Sequence, residues 1–85
     1  MRVLKTKRFL RDYRKLPPEM QARADAKLLF LERDLGHPSL RAKPLRGSPG
    51  LYEASINMQY RLVFALTGDA CLLLRIGKHD VLDEV

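Results

Sequence analysis

Two apolar segments on either side of a short polar break constrain this chain more than any other feature. Tyr60-Arg61-Leu62-Val63-Phe64-Ala65-Leu66 and Ala70-Cys71-Leu72-Leu73-Leu74-Arg75-Ile76 flank Thr67-Gly68-Asp69. Side chains on a strand alternate between faces, so the pattern reads as a β-hairpin. A three-residue loop pairs Leu66 with Ala70, Phe64 with Leu72, Leu62 with Leu74 and Tyr60 with Ile76, which gives one bulky face for a core. The same register sets Arg61 directly opposite Arg75 on the other face. Like charges at such positions destabilise a sheet. A phosphate between them would convert the repulsion into charge-assisted hydrogen bonds.

The rest of the chain supplies what covers the hairpin. Residues 2–6 have the composition of a short strand. Over residues 7–16, Phe9, Tyr13 and Leu16 recur at helical spacing above a basic opposite face. Pro17-Pro18 ends that helix and opens a second, in which Met20, Ala24, Leu28, Leu31 and Leu35 form a stripe until Gly36 stops it. Residues 36–50, rich in Gly and Pro, read as a loop with basic residues threaded through it. Residues 51–56 read as a strand with Tyr52, Ala54 and Ile56 on the core face, and Asn57-Met58-Gln59 closes a second hairpin. That register sets Ser55 opposite Arg61 and Glu53 diagonal to it. The predicted fold is α+β: an N-terminal αα-hairpin packed on a small antiparallel sheet of three to four strands, in a single domain over residues 1–85. The sheet's far face, with Val63, Ala65, Cys71 and Leu73 beside the arginines, is expected to be open to a protein partner unless helix or tail residues fold over it.

Charge narrows the function classes. The chain of 85 residues carries a net charge of +6, and its isoelectric point is about 9.9. Seven of the first 15 residues are Lys or Arg, against Asp12 alone, and Arg41, Lys43, Arg46 and Arg61 face only Glu53 across residues 36–61. A one-sided excess suits nucleic acid or an acidic protein, or is a solvated helix surface. The lone Cys71 rules out an internal disulfide. No apolar run approaches the roughly 18 residues of a membrane span. His37 and His79 lack ligand-spaced partners, and no phosphate-binding glycine loop is present, so no metal and no cofactor is expected.

What remains is a cationic surface with one histidine at a strand end, in Gly77-Lys78-His79-Asp80. Metal-free RNA cleavage needs a base for the 2′-OH, cations for the phosphorane and an acid for the leaving 5′-oxygen. Lys43, Arg46, Arg61, Arg75 and Lys78 are the candidate cations. His79 is the acid or base, with Asp80 as a candidate to orient it; otherwise it is an exposed loop histidine. Glu53 is a second base candidate, or a plain charge partner for Arg61 or Arg75.

In order along the chain, helix–ProPro–helix, Lys43-Pro44-Leu45-Arg46-Gly47, Leu51-Tyr52-Glu53, Tyr60-Arg61-Leu62-Val63-Phe64 and Ile76-Gly77-Lys78-His79-Asp80 resemble the RelE/ParE superfamily of toxins from bacterial and archaeal toxin–antitoxin pairs. The resemblance spans nearly the whole chain. Its RelE and YoeB-like branches are mRNA endonucleases of the ribosomal decoding site. It implies that Arg61 matches the arginine following an aromatic on the central strand and touches the scissile phosphate. Arg46 matches the basic position of the "LRG" segment. Lys43 falls where YoeB-like members carry a glutamate base and RelE-like members a nearby basic residue. His79 matches the C-terminal catalytic position. The implied protein is cytoplasmic and ribosome-dependent. Its partners are mRNA and a cognate antitoxin that is acidic where it binds. Two alternatives stay open: a ParE-like DNA gyrase inhibitor, and an RNA-binding member that does not cleave. The latter is favoured by one departure, since relatives usually carry a tyrosine near the C-terminus and here no aromatic follows Phe64.

Overall fold

A computed structural model describes residues 1–85. Strand β1 (Arg2–Lys5) leads into helix α1 (Lys7–Arg14), which Pro17 separates from α2 (Pro18–Arg33). A 3₁₀ turn (Pro38–Leu40) and a two-residue strand β2 (Lys43–Pro44) follow. Then come β3 (Leu51–Ser55), β4 (Tyr60–Thr67), β5 (Ala70–Lys78) and a C-terminal 3₁₀ helix (His79–Asp83). The sheet has five strands in the order β1-β5-β4-β3-β2. The expectation of three to four antiparallel strands is corrected in two respects: Lys43–Pro44 adds an edge strand within what read as loop, and β1 runs parallel to β5. No helix is long and apolar enough to cross a membrane.

Local chemistry accounts for the helices. Thr6 caps α1: its hydroxyl oxygen accepts from Phe9 N at 3.2 Å and donates to the Leu73 carbonyl at 2.8 Å, fixing the helix start to β5. Pro18 opens α2 with Glu19 in its first turn. The helix ends at Arg33, short of the predicted Gly36, because Asp34 turns extended at φ −155°. The His37 ring then stacks on Phe30 at 3.9 Å, and its Nδ1 accepts from Ser39 N. His37 is thus a loop brace. Phe9, Met20, Ala24 and Leu31 from the helices, and Leu16 between them, meet Ala54, Ile56, Leu62 and Phe64 in the main core.

The β4–β5 hairpin departs from its predicted register, and the departure matters for the site. The turn has two residues, with Thr67 opposite Ala70 and Gly68 at φ +56°. Cys71 and Leu73 therefore face the core, where Leu72 and Leu74 were expected. Burial pushes the Cys71 thiol up to about 11, so it is an inert apolar filler. A bulge between Val63 and Phe64 leaves Leu74 as the extra residue, and the ladder resumes with Val63 opposite Arg75 and Leu62 opposite Ile76. Arg61 consequently faces Gly77, not Arg75.

The far face of the sheet is covered by the chain itself, contrary to the open patch expected. Leu45 from the basic loop and Val81 from the C-terminal 3₁₀ helix bury Val63, with Leu51, Leu74 and Leu82 packed around them. Gly77 makes this closure possible: a Cβ there would lie 2.7 Å from Val81 Cγ1. Val81 is buried and β-branched, so it has little freedom to yield. Gly77→Ala should cost roughly 1–3 kcal/mol in urea unfolding, the usual cost of overpacking. A Cm equal to that of the parent protein would show that Val81 does not seat on Gly77.

Candidate active cleft

Five of the seven residues singled out by the sequence line one open cleft. It encloses about 690 Å³ and is walled by Lys43, Pro44, Leu45 and Arg46, by Glu53 of β3, by Arg61 of β4, and by His79, Leu82 and Asp83 of the C-terminal 3₁₀ helix. The three walls come together for different reasons. The β2–β3 pairing sets Lys43 opposite Glu53. The β3–β4 ladder sets Ser55 opposite Arg61 and Glu53 opposite Val63, so Glu53 is diagonal to Arg61 as predicted. The packing of Val81 over Gly77 folds the 3₁₀ helix back, which carries His79 to the cleft.

Arg61 is half-buried and anchored at one nitrogen only. Its Nη1 donates to the backbone carbonyls of Asn57 and Tyr60, the latter at 3.2 Å. Asn57 in turn closes the hairpin, its Oδ1 accepting from Gln59 N at 2.9 Å and Tyr60 N at 2.7 Å. No carboxylate pairs with Arg61, Lys43 or Arg46 within 4.0 Å, and Glu53 has no cationic partner at that distance either. An arginine held by carbonyls keeps its full charge and its remaining N–H donors for an external anion. Because Arg61 faces Gly77, no side chain stands opposite it on the β5 side, and on the β3 side only the short Ser55 does.

The other two predicted residues lie elsewhere. Arg75 and Lys78 line a separate cavity of about 280 Å³ together with Asp12, Lys15, Asp80 and Glu84. Arg75 is neutralised: its Nε donates to Asp12 Oδ2 at 2.6 Å and its Nη2 to Asp12 Oδ1 at 3.3 Å, with side-chain exposures of 14% and 13%. This bidentate hydrogen bond is the first cause of the raised Arg75 pKa. The predicted Arg61–Arg75 pair across the hairpin does not exist, because the two-residue turn and the bulge shift β5 by two positions at that level. Asp80 does not hold the His79 ring; it lies in the cavity with Lys78. Sequence reasoning missed Asn57 and Asp83. Asn57 carried a legible signal, an Asn at the start of a hairpin loop, whereas Asp83 reaches the cleft only through a 3₁₀ helix with no sequence signature.

No family model matches the chain, and no curated protein matches it in sequence. Solved structures do match. The chain is similar to YafQ from E. coli, with a TM-score of 0.81 at 19% identity over 96% of this chain and 98% of that one. It is also similar to the toxin–antitoxin complex RelB–RelE from Methanococcus jannaschii, with a TM-score of 0.77 at 17% identity over 95% of each chain. Likeness at these identities defines the fold: that of the small helix-pair-on-sheet toxins. A third match carries the family, since the toxin–antitoxin complex RelBE2 from Mycobacterium tuberculosis is 32% identical over 92% of this chain and 96% of that one, with a TM-score of 0.68. The chain belongs to the RelE/ParE toxin superfamily.

Proposed function

We propose that the protein is the toxin of a type II toxin–antitoxin pair and cleaves mRNA on the ribosome by metal-independent attack of the 2′-OH. The observation that carries this reading is the cleft in which Lys43, Arg46 and Arg61, none of them ion-paired, surround a space that also receives Glu53 and His79. Arg61 holds the scissile phosphate, and Lys43 and Arg46 share the charge that accumulates on the phosphorane. Glu53 takes the 2′-OH proton. O2′ bonds to phosphorus, the P–O5′ bond breaks, and His79 gives a proton to O5′. The products are a 2′,3′-cyclic phosphate and a 5′-hydroxyl, with no net change in protons. Arg75 acts as a structural cation, and Lys78, which is exposed, meets RNA only peripherally.

The same cleft explains the need for a partner. Relatives have been solved with antitoxins, among them RelB in the complexes from M. jannaschii and E. coli. A cognate antitoxin with acidic residues at its binding segment would neutralise the cleft cations of this chain. A ribosome-dependent activity places the protein in the cytoplasm.

The test is cleavage of ribosome-bound mRNA. His79→Ala should lower the single-turnover rate by about 10²–10⁴-fold, the usual contribution of a positioned general acid. Full activity in that variant removes His79 from the mechanism, and gyrase-dependent DNA breaks without RNA cleavage would replace the reading altogether. Docking should also weaken steeply with added salt, since cationic contacts with phosphate release counterions. A flat response would argue against the basic face as the docking surface.

A further inference from the structure

Arg61 also lines a second recess. This recess encloses about 390 Å³ between α2, the first 3₁₀ turn and the β3–β4 hairpin, and its walls carry Arg23, Lys27, Arg41 and Arg61 but no carboxylate. Ser39, Ser55 and Asn57 add neutral polar groups to the same lining. Lys27 is committed by one donor, its Nζ giving a hydrogen bond to the Ser39 carbonyl at 2.9 Å. Arg23 and Arg41 are exposed, and none of the four cations has an acidic partner within 4.0 Å. Four like charges around one hollow repel each other, and no carboxylate within 4.0 Å offsets that cost.

Two further observations point to what fills it. Arg41 is the chain's one non-glycine residue at positive φ, +49°. That left-handed conformation favours Gly or Asn, and strained positions of this kind concentrate at binding sites. The cationic side chain is present where the backbone alone would prefer glycine. Met58, also in the lining, is 82% exposed. A polarisable thioether beside a ring of cations suits the face of a nucleobase attached to the phosphate they hold.

We propose that this recess is a second phosphate site for single-stranded RNA, taking the phosphate next to the scissile one, with Arg61 shared between the two. The proposal rests on the RNA-cleaving reading of the adjoining cleft and extends it. The strand runs from the cleft past Arg61 into the recess, Arg23 and Arg41 grip the neighbouring phosphate, and Met58 packs on its base. An acidic protein segment would satisfy the charges, but not the open apolar surface of Met58 beside them. Continuity with a cleft built for a phosphodiester favours RNA.

The experiment is equilibrium binding of a short, fully 2′-O-methylated single-stranded RNA, which cannot be cleaved, to the parent protein and to the double variant Arg23→Ala/Arg41→Gly. The glycine relaxes the left-handed backbone, so the variant should fold with an unchanged or higher Tm. The slope of log K against log salt should become shallower by about 0.7, the figure for one single-strand phosphate charge left without its cations. Met58→Ala should weaken binding several-fold with no change in slope. An unchanged slope and affinity in the folded double variant overturns the second site, even where ribosome-bound mRNA is still cleaved and the reading of the cleft stands. Loss of binding to polyglutamate with RNA binding intact overturns it too, in favour of an acidic protein. If the parent protein neither binds the RNA nor cleaves mRNA on the ribosome, the cleft reading fails and the second site fails with it.

Discussion

Asp12→Ala should destabilise the protein by roughly 3 kcal/mol, the lower end of the range for breaking a buried ion pair. The lower end applies because the pair sits at a sheet edge, near solvent. Three groups depend on that one carboxylate. It accepts the two donors of Arg75, and Oδ2 also accepts from Ile76 N at 3.1 Å. Strand β1 pairs with β5 only from Ala70 to Leu73. Past that point the backbone of β5 lacks a neighbouring strand on this side, and the Asp12 side chain takes its place. Alanine leaves Arg75 charged in a site where it is 14% exposed, and leaves the Ile76 amide without an acceptor.

A chain of 85 residues has a total stability of about 4–13 kcal/mol, so the loss is a large fraction of what holds the fold. Urea unfolding of Asp12→Ala should show a markedly lower Cm at unchanged m. Asp12→Asn, which keeps an acceptor for Ile76, should fall between the two. Asp12→Ala combined with Arg75→Met removes both charges and should recover much of the deficit. If Asp12→Ala unfolds at the parent's Cm, the pair carries none of the stability assigned to it. Arg75 has a further task. Its Nη1 and the Nη2 of Arg8 both donate to the Glu84 carbonyl at 3.3 Å, tethering the segment that follows the C-terminal 3₁₀ helix. The arginine thus supports the placement of His79 without touching the cleft.

The place of Arg75 marks where sequence reasoning reached and where it stopped. Period-two and helical spacing identified both helices and the strands β3, β4 and β5, because each buries one face. The Ser55–Arg61 register was legible since the polar break Asn57-Met58-Gln59 left few ways to keep Ile56 and Tyr60 on the core side. The β4–β5 register was not. A two-residue turn with one bulge and a three-residue turn without one both bury an apolar face when almost every residue of Cys71–Leu74 is apolar. Asp12, 63 residues away from Arg75 in sequence, bonds Arg75 and Ile76 in the observed register, and no local pattern encodes that contact. Five of the seven candidate site residues still share the cleft, because their placement depended on β2–β4 and on the strand end at His79, not on the β4–β5 register. The recess beyond Arg61 was hidden for a similar reason. Arg23 and Lys27 lie on a helix whose overall charge pattern is ordinary, and only the packing of α2 beside the hairpin brings them to Arg41.

Arg61→Ala should lower cleavage of ribosome-bound mRNA by about 10²–10³-fold, the effect of removing one preorganised donor from a developing oxyanion. The fall should appear mainly in the rate of the bound complex, because the guanidinium meets more negative charge in the phosphorane than in the diester. Geometry supports a large effect. The Asn57 and Tyr60 carbonyls hold Nη1, so the plane of the guanidinium is set before substrate arrives, and no carboxylate has to be displaced. Arg61→Lys keeps the charge but loses both the planar fork and the double anchor on the hairpin, so it should restore only a minor part of the rate. The fold should tolerate either change. The two carbonyls freed in Arg61→Ala lie at a half-exposed hairpin end where water can replace the donor, and the expected cost is about 1 kcal/mol. A folded Arg61→Ala protein that cleaves at the parent rate would leave the residue as a brace for the β3–β4 hairpin and nothing more. A protein that loses cleavage and more than half its stability together would point the same way, since the defect would then lie in the hairpin and not in the chemistry.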